Sequence, residues 1–138
     1  MILLDTDHLT ILQTPDSNRR DRLVARLALA DNVIGTTVVN VEEQMRGWMA
    51  SIAKERQPLR QVRSYARLAH LFDFYSDYEI APFDVPAATR FGTFSRIRIG
   101  VSDRKIAAIA ISQNALLLTA NRRDFELVPG LRFDNWLN

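Results

Sequence analysis

The chain reads as an α/β protein: a central, mostly parallel sheet of four to five strands with helices on both sides, three layers in all. Three observations predict it. Short apolar runs alternate with helical patterns of roughly 8 to 20 residues, as in βαβ units. The runs, Met1–Leu4, Val33–Thr36 and Ala115–Thr119, suit strands buried in a parallel sheet. Acids and amides recur where these runs end or where helices begin, at the sheet edge where α/β proteins bind ligands. Right-handed crossovers would connect the strands.

Taken in order, Met1–Leu4 is a strand stopped by Asp5. Asp7 is expected to cap a short helix, Leu9–Gln13, closed by Thr14-Pro15. Ser17 or Asn18 caps a second helix, in which Leu23, Val24, Leu27 and Ala30 recur at helical spacing. After the strand Val33–Thr36, Thr37 caps a long helix reaching about Arg56, with Val38, Val41, Met45, Trp48 and Met49 on one face. Pro58 opens the next helix, whose apolar stripe is Leu59, Val62, Ala66, Ala69 and the Leu71/Phe72 pair. Glu79–Phe83 is a third strand, and Asp84 caps a helix from Pro86 to about Ile97. Ser102 caps an Ala/Ile-rich helix, Asp103–Gln113, apolar almost all round and therefore interior. Ala115–Thr119 is the fourth strand and Leu131–Phe133 a fifth.

A chain of 138 residues, 47% hydrophobic and 25% charged, is expected to form one domain over 1–138. The absence of Cys excludes disulfides, thiolate zinc sites and cysteine nucleophiles. With only His8 and His70, a multi-histidine centre is not expected either. The N-terminus leaves no room for a signal peptide, and no apolar run approaches the roughly 20 residues that cross a bilayer. A cytoplasmic protein without membrane contact is the expectation. The net charge is only +2, yet the cations are sixteen Arg against Lys54 and Lys105. Arg forks suit phosphates and stack on bases, although GC-rich codons explain the bias equally well.

Asp5 follows a buried strand, where a lone carboxylate is costly without a partner. Thr6 can aim its hydroxyl at the same edge. Of the pair Glu42 and Glu43, both in the first turns of a helix, Glu43 is the better ligand and Glu42 a capping charge. Gly47, one turn beyond Glu43, would leave space beside that carboxylate. Asp103 stands in the first turn of the interior helix, with Arg98, Arg104 and Lys105 around it for a phosphate-bearing substrate. Thr119, Asn121 and Asp124 follow the fourth strand, with Arg122 between them; Asp124 could supply the carboxylate that Asn121 lacks. Acids converging in this way repel until a cation joins them. An all-oxygen donor set favours Mg²⁺ or Mn²⁺. Two such ions about 4 Å apart activate a water and stabilise the leaving oxygen of a phosphodiester. On the helix after Pro58, Arg60, Arg63 and Arg67 share a face, and Arg56 joins them only if the helix runs through the proline.

At this point the chain resembles a known family. Leu4-Asp5-Thr6-Asp7, Val41-Glu42-Glu43-Gln44-Met45-Arg46-Gly47, Ile99-Gly100-Val101-Ser102-Asp103 with Ile106-Ala107-Ala108, and Leu118-Thr119-Ala120-Asn121-Arg122-Arg123-Asp124-Phe125 are similar, in order and spacing, to motifs of the PIN-domain ribonucleases. The closer likeness is to the VapC-like toxins of toxin–antitoxin pairs, and Val128-Pro129-Gly130-Leu131 with Asn135-Trp136 fits their C-terminal signature. The resemblance implies a PIN-like α/β/α fold and metal-dependent cleavage of single-stranded or loop RNA, often tRNA. It places Asp5, Glu43 and Asp103 at three acidic metal positions and Asn121 at the fourth, where many members carry Asp. It implies a small antitoxin and a homodimer as partners. Two alternatives stay open: a catalytically weak PIN scaffold that binds RNA or a partner, and a haloacid-dehalogenase-like phosphohydrolase using Asp5-Thr6-Asp7. The latter usually wants a lysine and a late acidic pair, for which only Lys105 and a lone Asp103 are at hand.

Overall fold

The structure, a computed structural model, describes residues 1–137. Five short strands form one sheet: β1 (Ile2–Leu4), β2 (Ile34–Thr37), β3 (Glu79–Ala81), β4 (Leu116–Leu118) and β5 (Arg132–Asp134). Every pairing is parallel, in the order β3-β2-β1-β4-β5. Seven helices connect and cover them: α1 (Thr6–Leu12), α2 (Asn18–Leu29), α3 (Val38–Lys54), α4 (Pro58–Tyr75), α5 (Val85–Gly92), α6 (Val101–Ser112) and α7 (Arg122–Phe125).

Strands of three or four residues cannot persist on ladder hydrogen bonds alone; burial on both faces holds the central ones, β1 and β4. Leu3 and Leu117 pack with Val39, Ala87, Phe94 and the buried run Ile106–Ala110 on one side of the sheet. Ile2, Leu4 and Leu118 pack with Leu9, Leu12, Leu23, Leu27, Leu71 and Tyr75 on the other. Each fully buried leucine contributes about 1.5–3 kcal/mol. Gly35 lets β2 approach β3, since a Cβ there would stand 2.4 Å from the Glu79 carbonyl oxygen.

The strand order reverses between β1 and β4. From β1 the chain steps outward to β2 and β3, then returns to β4 on the other side. Connections leaving such a pair in opposite directions open a crevice at the strands' carboxyl ends. Leu4 is in register with Leu118, so Asp5 and Thr119 stand side by side at its floor.

Several sequence expectations shift. Asp5, not Asp7, occupies the N-cap of α1, which starts at Thr6. Gly100, not Ser102, precedes α6, and Ser102 lies in its first turn. The proline does separate the long helices: α3 ends at Lys54 and α4 begins at Pro58, leaving Arg56 outside both. The α4 stripe is misplaced, because Leu59 and Phe72 are 89% and 65% exposed while Leu71 and Tyr75 are buried. On α3 the buried apolar residue is Val39; Val38 and Met49 face outward. Ser17, Thr37 and Asp84 cap α2, α3 and α5 as expected.

Candidate metal centre

The floor of the crevice is Asp5, only 8% exposed. One of its oxygens accepts the Thr6 backbone N–H at 2.9 Å and the Asn40 amide at 2.7 Å. The other accepts the Thr119 hydroxyl at 2.7 Å. Burial raises its pKa, the neighbouring Asp7 charge adds to that, and these donors offset only part. The N-cap position therefore does not exhaust this carboxylate: its donors fix its direction while its charge stays uncompensated.

Asn40 is the residue that sequence reasoning overlooked. It is wholly buried at the third position of α3. Thr37 accepts its backbone N–H at 3.1 Å and donates its own hydroxyl to the Asn40 side-chain oxygen at 2.6 Å. That leaves the Asn40 amide N–H group for Asp5 and, at 3.1 Å, for the Thr6 oxygen. The signal was present in Thr37-x-x-Asn40, the spacing of a capping box with Asn in place of Glu or Gln.

Glu43 comes from the second turn of α3 and accepts the Thr6 hydroxyl at 3.3 Å. Burial and the Asp5 charge raise its pKa. Glu42 points away into an exposed pair with Arg46 at 2.7 Å and does not serve as the capping charge expected, since it stands beyond the first turn of α3. Gly47 does not make the room expected of it, because a Cβ there would meet nothing within 4 Å. Asp103 enters from the first turn of α6. Burial first, then the charges of Asp5, Glu43, Asp124 and Asp7, push its pKa up to about 6. Asn121 donates its amide to Asp103 at 3.4 Å and to Asp124 at 3.1 Å, bridging the two carboxylates. The structure thus brings Asp5, Glu43, Asp103, Asn121 and Asp124 into one electrostatic cluster.

Among the described residues the carboxylates in contact with a basic side chain are Glu42, paired with Arg46, and Asp7, hydrogen-bonded to the His8 ring, so Asp5, Glu43, Asp103 and Asp124 have no cationic partner. Nor do any three Asp, Glu or His side chains stand close enough to enclose an ion in their present rotamers. Crowded carboxylates that lack a counter-charge are the donor set a hard divalent cation suits. The residues fit such an ion by chemistry and by charge; closing around it takes side-chain movement.

The basic residues divide. Arg98, in the loop before α6, and Arg122, at the start of α7, are exposed, Arg122 with its guanidinium 5.9 Å from the Phe133 ring. Arg104 turns inward, its Nη1 toward the Phe94 carbonyl at 3.4 Å and its fork 5.5 Å from the Phe91 ring. Lys105 rests between the Phe83 and Phe91 rings. Arg60, Arg63 and Arg67 are exposed along α4.

Comparison with known proteins decides the family. The PIN-domain model matches residues 2–131. The chain belongs to the PIN-domain family. The tRNA(fMet)-specific endonuclease VapC of Salmonella typhimurium is 26% identical over 125 residues, covering 86% of this chain and 87% of that protein. Among solved structures, VapBC2 from Rickettsia felis bound to a promoter DNA fragment has a TM-score of 0.75 at 24% identity, over 99% of both chains. The DNA-bound VapBC of Salmonella typhimurium has a TM-score of 0.74 at 25% identity, over 98% of this chain and 97% of that one. The likeness seen in the motifs is thereby a family membership, and the phosphohydrolase alternative falls. As a PIN domain the chain places its acids at the β1–β4 switch point, and no helix of the described residues is long and apolar enough to cross a membrane.

Proposed function

We propose that this PIN domain, acting as one unit over 1–138, is a metal-dependent endoribonuclease and the toxin of a toxin–antitoxin pair. The observation that carries the reading is the cluster of a buried Asp5 with half-buried Glu43, Asp103 and Asp124, none of which has a cation beside it among the described residues. The VapC endonuclease likeness supports tRNA or another looped RNA as substrate, and the VapBC complexes support a small antitoxin partner. A second copy of the chain is the further partner we propose.

Asp5, Glu43 and Asp103 would hold Mg²⁺ or Mn²⁺, with Asn121 and Asp124 completing its surroundings. When bound, such an ion supplies the charge that activates a water and stabilises the leaving oxygen of a phosphodiester. The chain's own residues do the rest. Asn40 and Thr119 hold Asp5 in place and Thr6 holds Glu43, so that these two carboxylates are already oriented toward the crevice. Exposed Arg98 and Arg122 would grip the RNA backbone. Neither histidine serves as general base: His8 is fully buried, and His70 lies on α4. Induced expression in bacteria tests the reading. Wild type should arrest growth and leave cleaved RNA, whereas Glu43→Gln should do neither; arrest by both would contradict it.

A further inference from the structure

Behind the acids lies a chain of hydrogen bonds that the proposed chemistry does not use. His8 is wholly buried. Its Nε2 faces the Trp136 backbone N–H at 3.1 Å, its Nδ1 lies 2.6 Å from one Asp7 oxygen, and the other Asp7 oxygen accepts the Ala120 backbone N–H at 2.8 Å. A backbone N–H can only donate, so Nε2 must offer its lone pair. The ring proton then resides on Nδ1 and points at Asp7. With one oxygen on the His8 ring and the other on the Ala120 N–H, Asp7 grips the turn between β4 and α7.

That turn is the fourth wall of the metal centre. Thr119 donates to Asp5 and accepts the Asn121 N–H at 3.0 Å, Ala120 is held by Asp7, and Asn121 reaches Asp103 and Asp124. The C-terminal segment that supplies the Trp136 N–H is itself docked. The Trp136 indole N–H donates to Asp134 at 3.2 Å, and the Arg26 guanidinium lies 4.2 Å from the Trp136 ring. From this geometry we infer that Asp7 and His8 are positioning residues: anchored by the Trp136 main chain, they set the Ala120–Asn121 turn and so tune how tightly the acids hold a divalent ion. The inference rests on the metal-dependent reading above. Support behind first-contact ligands generally changes metal affinity by about 10- to 100-fold.

Two substitutions separate the ring nitrogens. His8→Asn puts an amide N–H where Nδ1–H was and keeps the grip on Asp7; His8→Gln puts an oxygen near Nε2, keeping Trp136 but releasing Asp7. Asp7→Asn breaks one link whichever way its amide lies: either the Ala120 bond is lost, or the His8 proton is forced onto Nε2 against the Trp136 N–H. The measurement is the Mn²⁺ concentration giving half of the maximal thermal stabilisation of the purified chain. His8→Asn should stay near wild type, while His8→Gln and Asp7→Asn should need roughly 10-fold more Mn²⁺ or beyond. If every variant melts lower without metal yet keeps the wild-type Mn²⁺ midpoint, the residues are structural only and the inference is overturned. A wild type that Mn²⁺ does not stabilise at all would overturn the metal reading itself, and the positioning role with it. Should a His8 variant fail to fold, Asp7→Asn, which preserves side-chain volume, carries the same decision.

Discussion

Replacing Asp103 by Asn should make the metal-free protein more stable while destroying its response to metal. The carboxyl is raised from an ordinary 3.8 to about 6, by burial and then by four neighbouring acids. At about 1.36 kcal/mol per unit, a shift of roughly two units corresponds to about 3 kcal/mol of penalty on the charged form. Partial exposure and screening reduce that to about 1–2 kcal/mol. The sign follows from linkage. Between about pH 4 and 6 the folded state holds a proton that the unfolded chain has released, so the penalty is absent below 4 and complete above 6. An amide carries no charge at either pH and keeps the contact with Asn121, whose N–H needs only an oxygen at that place. In EDTA at pH 7.5, Asp103→Asn should melt about 3–8 °C above wild type, and at pH 4 the two should coincide. Thermal melts at both pH values decide it. A variant that melts lower at pH 7.5, or whose gain survives at pH 4, would refute the repulsion argument.

Other substitutions probe the remaining walls. Asn121→Asp places a new carboxylate against Asp103 and Asp124; it should lower metal-free stability by about 1–2 kcal/mol and raise Mn²⁺-dependent turnover, read by melts and RNA cleavage. Unchanged turnover would assign the fourth ligand role to Asp124. Asn40→Ala strands the buried Asp5 carboxylate and loses its bond with Thr37, so a loss of about 2–4 kcal/mol in denaturant melts and near-complete loss of cleavage are expected. Arg122→Ala should weaken RNA binding uniformly and reduce the slope of log affinity against log salt by about 1, measured by filter binding with an uncleavable RNA.

Much of this molecule was legible in its residues, because the information was local. Apolar runs ended by Asp5, Thr37 and Thr119 announced strands, and their ends announced the crevice. The preference for Glu43 over Glu42 rested on space at Gly47 and on a capping role for Glu42, and neither holds: a Cβ at Gly47 would meet nothing within 4 Å, and Glu42 pairs with Arg46. What stayed hidden depends on partners distant in sequence. Asp7 looked like the better cap because nothing nearby reveals that Ala120, 113 residues on, claims its second oxygen. Asn40 looked like an ordinary first-turn residue until Asp5, 35 residues earlier, met its amide. The α4 stripe failed for another reason: the helix meets the core chiefly through Leu68, Leu71, Phe74 and Tyr75, so apolar Leu59 and Val62 nearer its start remain outside.

The central claim is that Asp5, Glu43 and Asp103 hold an ion that cuts RNA. Total bacterial RNA, incubated with Mg²⁺, Mn²⁺ or EDTA and with wild type beside Asp103→Ala, tests it most directly. Discrete products that need the ion and vanish in the variant are the expected result, and they would name the target RNA. Equal cleavage by both proteins, or cleavage that persists in EDTA, would contradict the claim.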